Sequence, residues 1–171
     1  MVVAIRNRQR ALKLRTEAIT AFVEAVVRSV IYRNMRHRLP GVNRLPVEVS
    51  VVFSGDRMMR KLNKEYRAKD TTTDVLSFPQ FDDPLSAFSC LAEGEVATIP
   101  LGDIVVSVPQ GMRQAGQAGV DPSEELARLL IHGILHLFGY DHERSLAEER
   151  MMRRIESGLL RKTPRDPLCW S

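Results

Sequence analysis

The stretch from Asp121 to Gly139 constrains the fold more than any other part of the chain. Asp121-Pro122-Ser123-Glu124 supplies a capping side chain, a proline at the first helical position and a carboxylate in the first turn, which together start a helix. Leu126, Leu129, Leu130, Ile134, Leu137 and Phe138 then leave that helix apolar on most of its circumference, so it has to be enclosed at the centre of the fold. His132 and His136 are set into it four residues apart, which stacks both imidazoles on one face, one turn apart. Gly139 stands where a helix end favours a left-handed residue, so the chain can turn back there and bring His142 round to the same point.

Three neutral imidazoles with an open fourth position are the donor set of a catalytic zinc; a structural zinc would be closed by four protein ligands. The segment fits the long zinc-protease pattern H-E-x-x-H-x-x-G-x-x-H at every specified position but one. The exception is Gly133, which stands where a protease carries the glutamate that takes a proton from water. Peptidase chemistry is therefore disfavoured, while polarisation of a phosphoryl oxygen by the metal stays open. Nickel or copper would also fit three nitrogens. Asp141, beside His142, is either an acceptor for a ligand's second nitrogen or a turn residue after Gly139.

The remaining sequence predicts the scaffold. An apolar content of 44% against 27% charged is ordinary for a globular chain, and 171 residues fit one domain, with 163–171 expected as a flexible tail. Strands are predicted near 2–5, 47–53, 73–78 and 103–108. Helices are predicted over 16–33, 57–66, 112–118, from Asp121, and over 146–162, the last packing Met151, Met152, Ile155 and Leu159. Ser54 or Asp56 can cap the second helix. The fold class is therefore α+β: a single domain with a mixed four-stranded sheet, about five helices, and a central buried helix carrying the metal ligands. Pro40-Gly41 breaks the chain after the first helix, and an acidic loop is expected over 82–100.

Charge is uneven. The net is +4, but residues 1–44 hold ten Lys/Arg against Glu17 and Glu24, giving +8 there and −4 in the remainder. Such asymmetry suits a surface facing a polyanion, and equally a solvated helix face. His37, among those arginines, reads as a surface residue. Arg67, Lys69, Asp70, Thr73 and Asp74 form a second polar cluster. Arg67 is its natural bidentate grip on phosphate, with Lys69 beside it; a loop salt bridge is the competing assignment. Cys90 and Cys169 sit in no paired or metal-binding pattern, so no disulfide partner is expected and a reducing cytoplasm is the simpler compartment. No signal peptide or membrane span is expected.

Two segments together resemble one family. Tyr66-Arg67-Ala68-Lys69-Asp70 with Thr73-Asp74-Val75-Leu76-Ser77-Phe78-Pro79, then Leu101-Gly102-Asp103-Ile104, then His132-Gly133-Ile134-Leu135-His136-Leu137-Phe138-Gly139-Tyr140-Asp141-His142 are similar, in that order, to the YbeY family of bacterial rRNA maturation factors. The glycine after the first histidine is part of that family's pattern. The resemblance spans roughly residues 47 to 160. It implies a zinc-dependent, single-strand-specific endoribonuclease with one Zn2+ per chain, acting on ribosomal RNA in 16S 3′-end maturation and small ribosomal subunit quality control. It further implies His132, His136 and His142 as zinc ligands and Arg67 toward RNA phosphate; Arg67 and His136 are the candidate catalytic residues, and Arg67 and Lys69 the candidate substrate-binding ones. The alternative is a non-catalytic ribosome-assembly factor whose metal is structural. The stretch Phe81–Pro100 looks longer and more acidic than the family's connection.

Overall fold

The computed structural model describes residues 1–35, 46–82, 98–141, 145–164 and 166–169. In chain order the elements are β1 (Val2–Asn7), α1 (Thr16–Met35), β2 (Val47–Ser54), α2 (Asp56–Arg67), β3 (Val75–Pro79), β4 (Ile99–Ser107), α3 (Val108–Ala118), α4 (Pro122–Leu137) and α5 (Leu146–Lys162). The four strands form one sheet in the order β1-β2-β4-β3. β1, β2 and β4 run parallel and β3 runs antiparallel to β4, so the sheet is mixed, as its alternation with helices predicts. Pro40-Gly41, His37, Cys90 and most of the acidic loop lie outside the described residues.

Both faces of the sheet are covered, unequally. Val47, Val49, Val51 and Phe53 of β2 and Ile99, Leu101, Ile104 and Val106 of β4 enter the main core with α1, α4 and α5. On the opposite face Leu76 and Val105 meet Met59 of α2 in a smaller core rimmed by Val52, Leu62 and Phe78. β4 changes the parity of its buried residues between Leu101 and Ile104 because its register against β2 shifts there, Glu48 facing Pro100 and Val49 facing Gly102. Gly102 is required at that shift: its φ is +131°, and a Cβ would lie 2.1 Å from the Phe78 carbonyl oxygen. A strand interrupted in this way does not alternate simply, which is why periodicity shows only its second half, 103–108.

Four local expectations are corrected. Neither Ser54 nor Asp56 caps α2. Gly55 holds that position without a side-chain bond, Ser54 donates to the Val106 carbonyl at 3.3 Å, and Asp56 accepts from Ser107 at 2.8 Å. α3 begins at Val108, four residues before the expected start, because Ser107 caps it and a proline occupies its first turn. Met151 is 47% exposed while its neighbour Met152 is buried, since only one of two adjacent helical residues can face α4. The segment expected to be a flexible tail is docked where described: Leu168 and Cys169 are buried, Leu168 N–H donates to Ser123 Oγ at 2.6 Å, and Arg15 N–H donates to the Leu168 carbonyl at 2.9 Å.

Leu168→Ala should therefore lower stability by about 2–5 kcal/mol, the range for emptying a buried leucine site. Urea unfolding reads this directly, and a change below about 0.5 kcal/mol, typical of a surface site, would mean that the segment is not docked.

Candidate metal centre

α4 begins as its sequence dictates. Asp121 accepts from the Ser123 N–H at 2.7 Å, and Glu124 and Glu125 occupy the first turn. Eleven of its sixteen residues are buried, so it is the enclosed helix that its composition demands. Beyond its first turn, only a strip spaced by four residues, Arg128, His132 and His136, is partly open to water.

On that strip the two imidazoles meet. Nε2 of His132 and Nε2 of His136 face each other at 3.1 Å, with ring centroids 4.7 Å apart and planes at 69°. Two nitrogens bound to one tetrahedral zinc at about 2.0–2.1 Å stand about 3.3 Å apart, so the pair has the spacing of two ligands of one ion. Nδ1 of His132 lies 2.6 Å from Oε1 of Glu156 on α5. A carboxylate in that position fixes the ring and its tautomer, leaving Nε2 as the donor atom. The two described imidazoles thus fit a zinc ion as two of its ligands. Glu156 is a residue that sequence reasoning missed: it lies 24 positions downstream on another helix, so no local spacing announces it. Glu156 is the carboxylate set behind His132, and Asp141 lines the adjoining cleft.

The turn after α4 takes the expected form. Gly139 has φ +80°, its N–H donates to the His136 carbonyl at 3.0 Å, and the Tyr140 N–H donates to the Leu135 carbonyl at 3.1 Å. These two bonds make a Schellman turn that reverses the chain. It brings Tyr140 and Asp141 to the cleft that the histidine pair lines. His142 lies outside the described residues, and among those described no group of three or more His, Cys, Asp or Glu is placed to hold a metal.

Gly133 has a role that its lack of a carboxylate does not explain. It faces the sheet, where a Cβ would sit 2.8 Å from Ile104 Cγ2 and 3.2 Å from Ser77 Oγ. α4 therefore lies directly on β3 and β4, and a glutamate at this position has no room.

The histidines open onto a cleft of about 730 Å³ walled by β3 (with Thr73 to Pro79), by Phe81 and Asp82, by Gly139 to Asp141, and by Tyr66 and Arg67 at the end of α2. The structure thus brings Arg67 to the same cleft as His132 and His136. Lys69 is exposed and does not line it. Asp70 is bonded instead to Arg60 at 2.8 Å and Lys64 at 3.0 Å, which lower its pKa to about 2. Asp74 sits at the mouth of β3. Burial opposes its ionisation, but bonds from Gln114, the Val75 N–H and Thr73 outweigh that and hold its carboxyl below the usual range. Ser77 Oγ is buried without a hydrogen-bond partner between β3 and α4.

Paired imidazoles facing a polar cleft, one braced by a carboxylate, are the arrangement of metal-dependent hydrolases as a class. Comparison with known proteins gives the family. The Endoribonuclease YbeY profile matches residues 4–163. A protein of that name from Thermodesulfovibrio yellowstonii is 35% identical over 161 residues, covering 92% of this chain and 94% of its own. Another from Geobacter metallireducens is 36% identical over 160 residues, covering 92% and 90%. The solution structure of TM1509 from Thermotoga maritima shares the fold, with a TM-score of 0.58 and 22% identity over 95% of this chain and 89% of that one. The chain belongs to the endoribonuclease YbeY family.

Because a Cβ at Gly133 would crowd Ile104 and Ser77, Gly133→Ala should cost about 1–3 kcal/mol in urea unfolding, as overpacking does. Gly133→Glu, which restores the protease pattern, should give an unfolded protein without peptidase activity. A normal unfolding midpoint for Gly133→Ala would show that the helix has space to lift.

Proposed function

We propose that this chain is a zinc-dependent endoribonuclease selective for single-stranded RNA, acting in maturation of the 16S rRNA 3′ end and in quality control of the small ribosomal subunit. The class, a metal-dependent RNA-cleaving enzyme, follows from family membership over nearly the whole chain. The zinc rests chiefly on one observation, the two Nε2 atoms facing each other at 3.1 Å with Glu156 behind one of them. His132, His136 and His142 are the proposed ligands. A zinc ion held there supplies Lewis acidity at a phosphoryl oxygen and activates water at neutral pH.

The protein's own groups do the rest. His132 and His136 are held in one rotameric relation by α4 and Glu156, so the reacting phosphate meets a preset site. Arg67, across the cleft, is the guanidinium that grips the phosphate and balances the charge developing on its oxygens. Lys69, exposed outside the cleft and two residues on, is assigned by this reading to a more distant phosphate of the same strand. Arg6, Arg8, Arg10, Lys13, Arg28 and Arg33 are all exposed, as attraction of a polyanion requires. No described helix is long and apolar enough to cross a membrane, and we place the protein with its ribosomal substrate in the cytoplasm.

Elemental analysis of the protein as purified should find about one zinc per chain. His136→Ala and Arg67→Ala should each lower cleavage of a single-stranded RNA by about a hundredfold or more, the cost of removing a group that stabilises transition-state charge. Unchanged cleavage by nuclease-free His136→Ala protein would end the enzymatic assignment of this site. Glu156→Gln should weaken zinc about ten- to a hundredfold in competition with a chromogenic chelator, while retention equal to the wild type would show that the bond to His132 does not tune the ligand.

A further inference from the structure

Tyr66 is one of six large apolar or aromatic side chains exposed among the described residues, at 60%. Its position follows from α2. Met59, Leu62 and Tyr66 succeed one another at helical spacings of three and four. The first two pack in the smaller core, and Tyr66, a turn further on, reaches the last strand of the sheet. There its ring meets Phe78 of β3 with centroids 4.9 Å apart and planes at 68°. An edge-to-face contact of this kind fixes a ring while leaving aromatic surface uncovered. Both rings line the cleft that holds His132 and His136, and Arg67 follows Tyr66 on the same wall.

We propose that Tyr66, braced by Phe78, is a stacking platform for one unpaired nucleobase of an RNA strand lying in this cleft. The inference rests on the RNA-cleaving function above and adds a base site to it. The occupant is set by chemistry. A fixed aromatic face beside a guanidinium matches the base and phosphate of one nucleotide, because every base offers a π-face and every nucleotide a phosphate. In a duplex both faces of each base are covered by its neighbours, so a stacking site of this kind accepts a strand whose bases are splayed out and refuses a paired one. The platform thus supplies selectivity for single strands without reading sequence.

The test uses the zinc-loaded protein and a fluorescein-labelled single-stranded RNA with 2′-O-methyl riboses, shown to be intact after each titration by anisotropy. Tyr66→Phe, which keeps the ring, should bind as the wild type does. Tyr66→Leu, which keeps apolar contact with Phe78 but has no π-face, should bind roughly fivefold or more weakly, the loss expected for one base stack. That difference should vanish on an oligonucleotide of the same length whose riboses carry no bases. Tyr66→Leu binding as tightly as the wild type, or losing equally on the abasic strand, overturns the platform and leaves the RNA-cleaving function standing. A wild-type protein with no affinity for any RNA overturns both.

Discussion

The close seat of α4 on β3 and β4 at Gly133 is the constraint from which the rest of the site follows. With Ile104 Cγ2 and Ser77 Oγ only 2.8 and 3.2 Å from where a Cβ would stand, helix and sheet leave no space for a side chain at that point. Dispersion at this range is strong only where shapes match, and the buried leucines and isoleucines on either side of Gly133 complete the fit. The orientation of the helix about its own axis is thereby set. One narrow strip remains toward water, and His132 and His136 lie on it, four residues apart, above the edge strand. A helix rolled by one residue would bury an imidazole in the main core or expose Leu135.

Around this seat the polar groups are paired across elements. Glu125, buried on α4, holds Arg128 through two bonds of 2.9 and 2.5 Å, and Arg128 also faces Asp74 at 3.9 Å. Those bonds, with Glu125 foremost, keep the guanidinium charged despite its partial burial. Asp74 is tied in turn to Gln114 of α3. Asp56 joins α2 to Ser107 and to Arg113, which sets its pKa below the ordinary carboxylate value. Glu125 is the buried charge of this set, and breaking its bonds to Arg128 would leave it uncompensated, whereas Asp56 and Arg113 meet largely in water. The clustering places these links at the end of the sheet where β3 begins and β2 and β4 finish, so the cleft has a stiff margin on that side.

Much of this was legible in the residues because it is governed by local rules. The capping of α4 by Asp121, the paired faces of His132 and His136, the reversal at Gly139 and the apolar side of α1 all follow from periods and turn chemistry within a few positions. Features that depend on distant partners were not. Glu156 reaches His132 from another helix, Leu168 finds Ser123 across 45 positions, and the shift at Leu101–Gly102 exists only relative to β2. Gly133 lies between these cases. Its lack of a carboxylate is visible in the sequence, whereas the reason that none can be there is a matter of tertiary packing.

The bond from Glu156 to His132 ties the proposed metal ligands to how α5 lies against α4. Met152 and Ile155 hold that helix to the main core, and Ile155 is the immediate neighbour of the carboxylate. A ligand that binds only the ordered arrangement shifts the equilibrium toward it, and the coupling is reciprocal. A loosened α5 would therefore lower metal affinity before it lowered helix content. An ion held by the proposed ligands would in this fold serve as a gauge of tertiary order, responding to damage on a helix that supplies none of them.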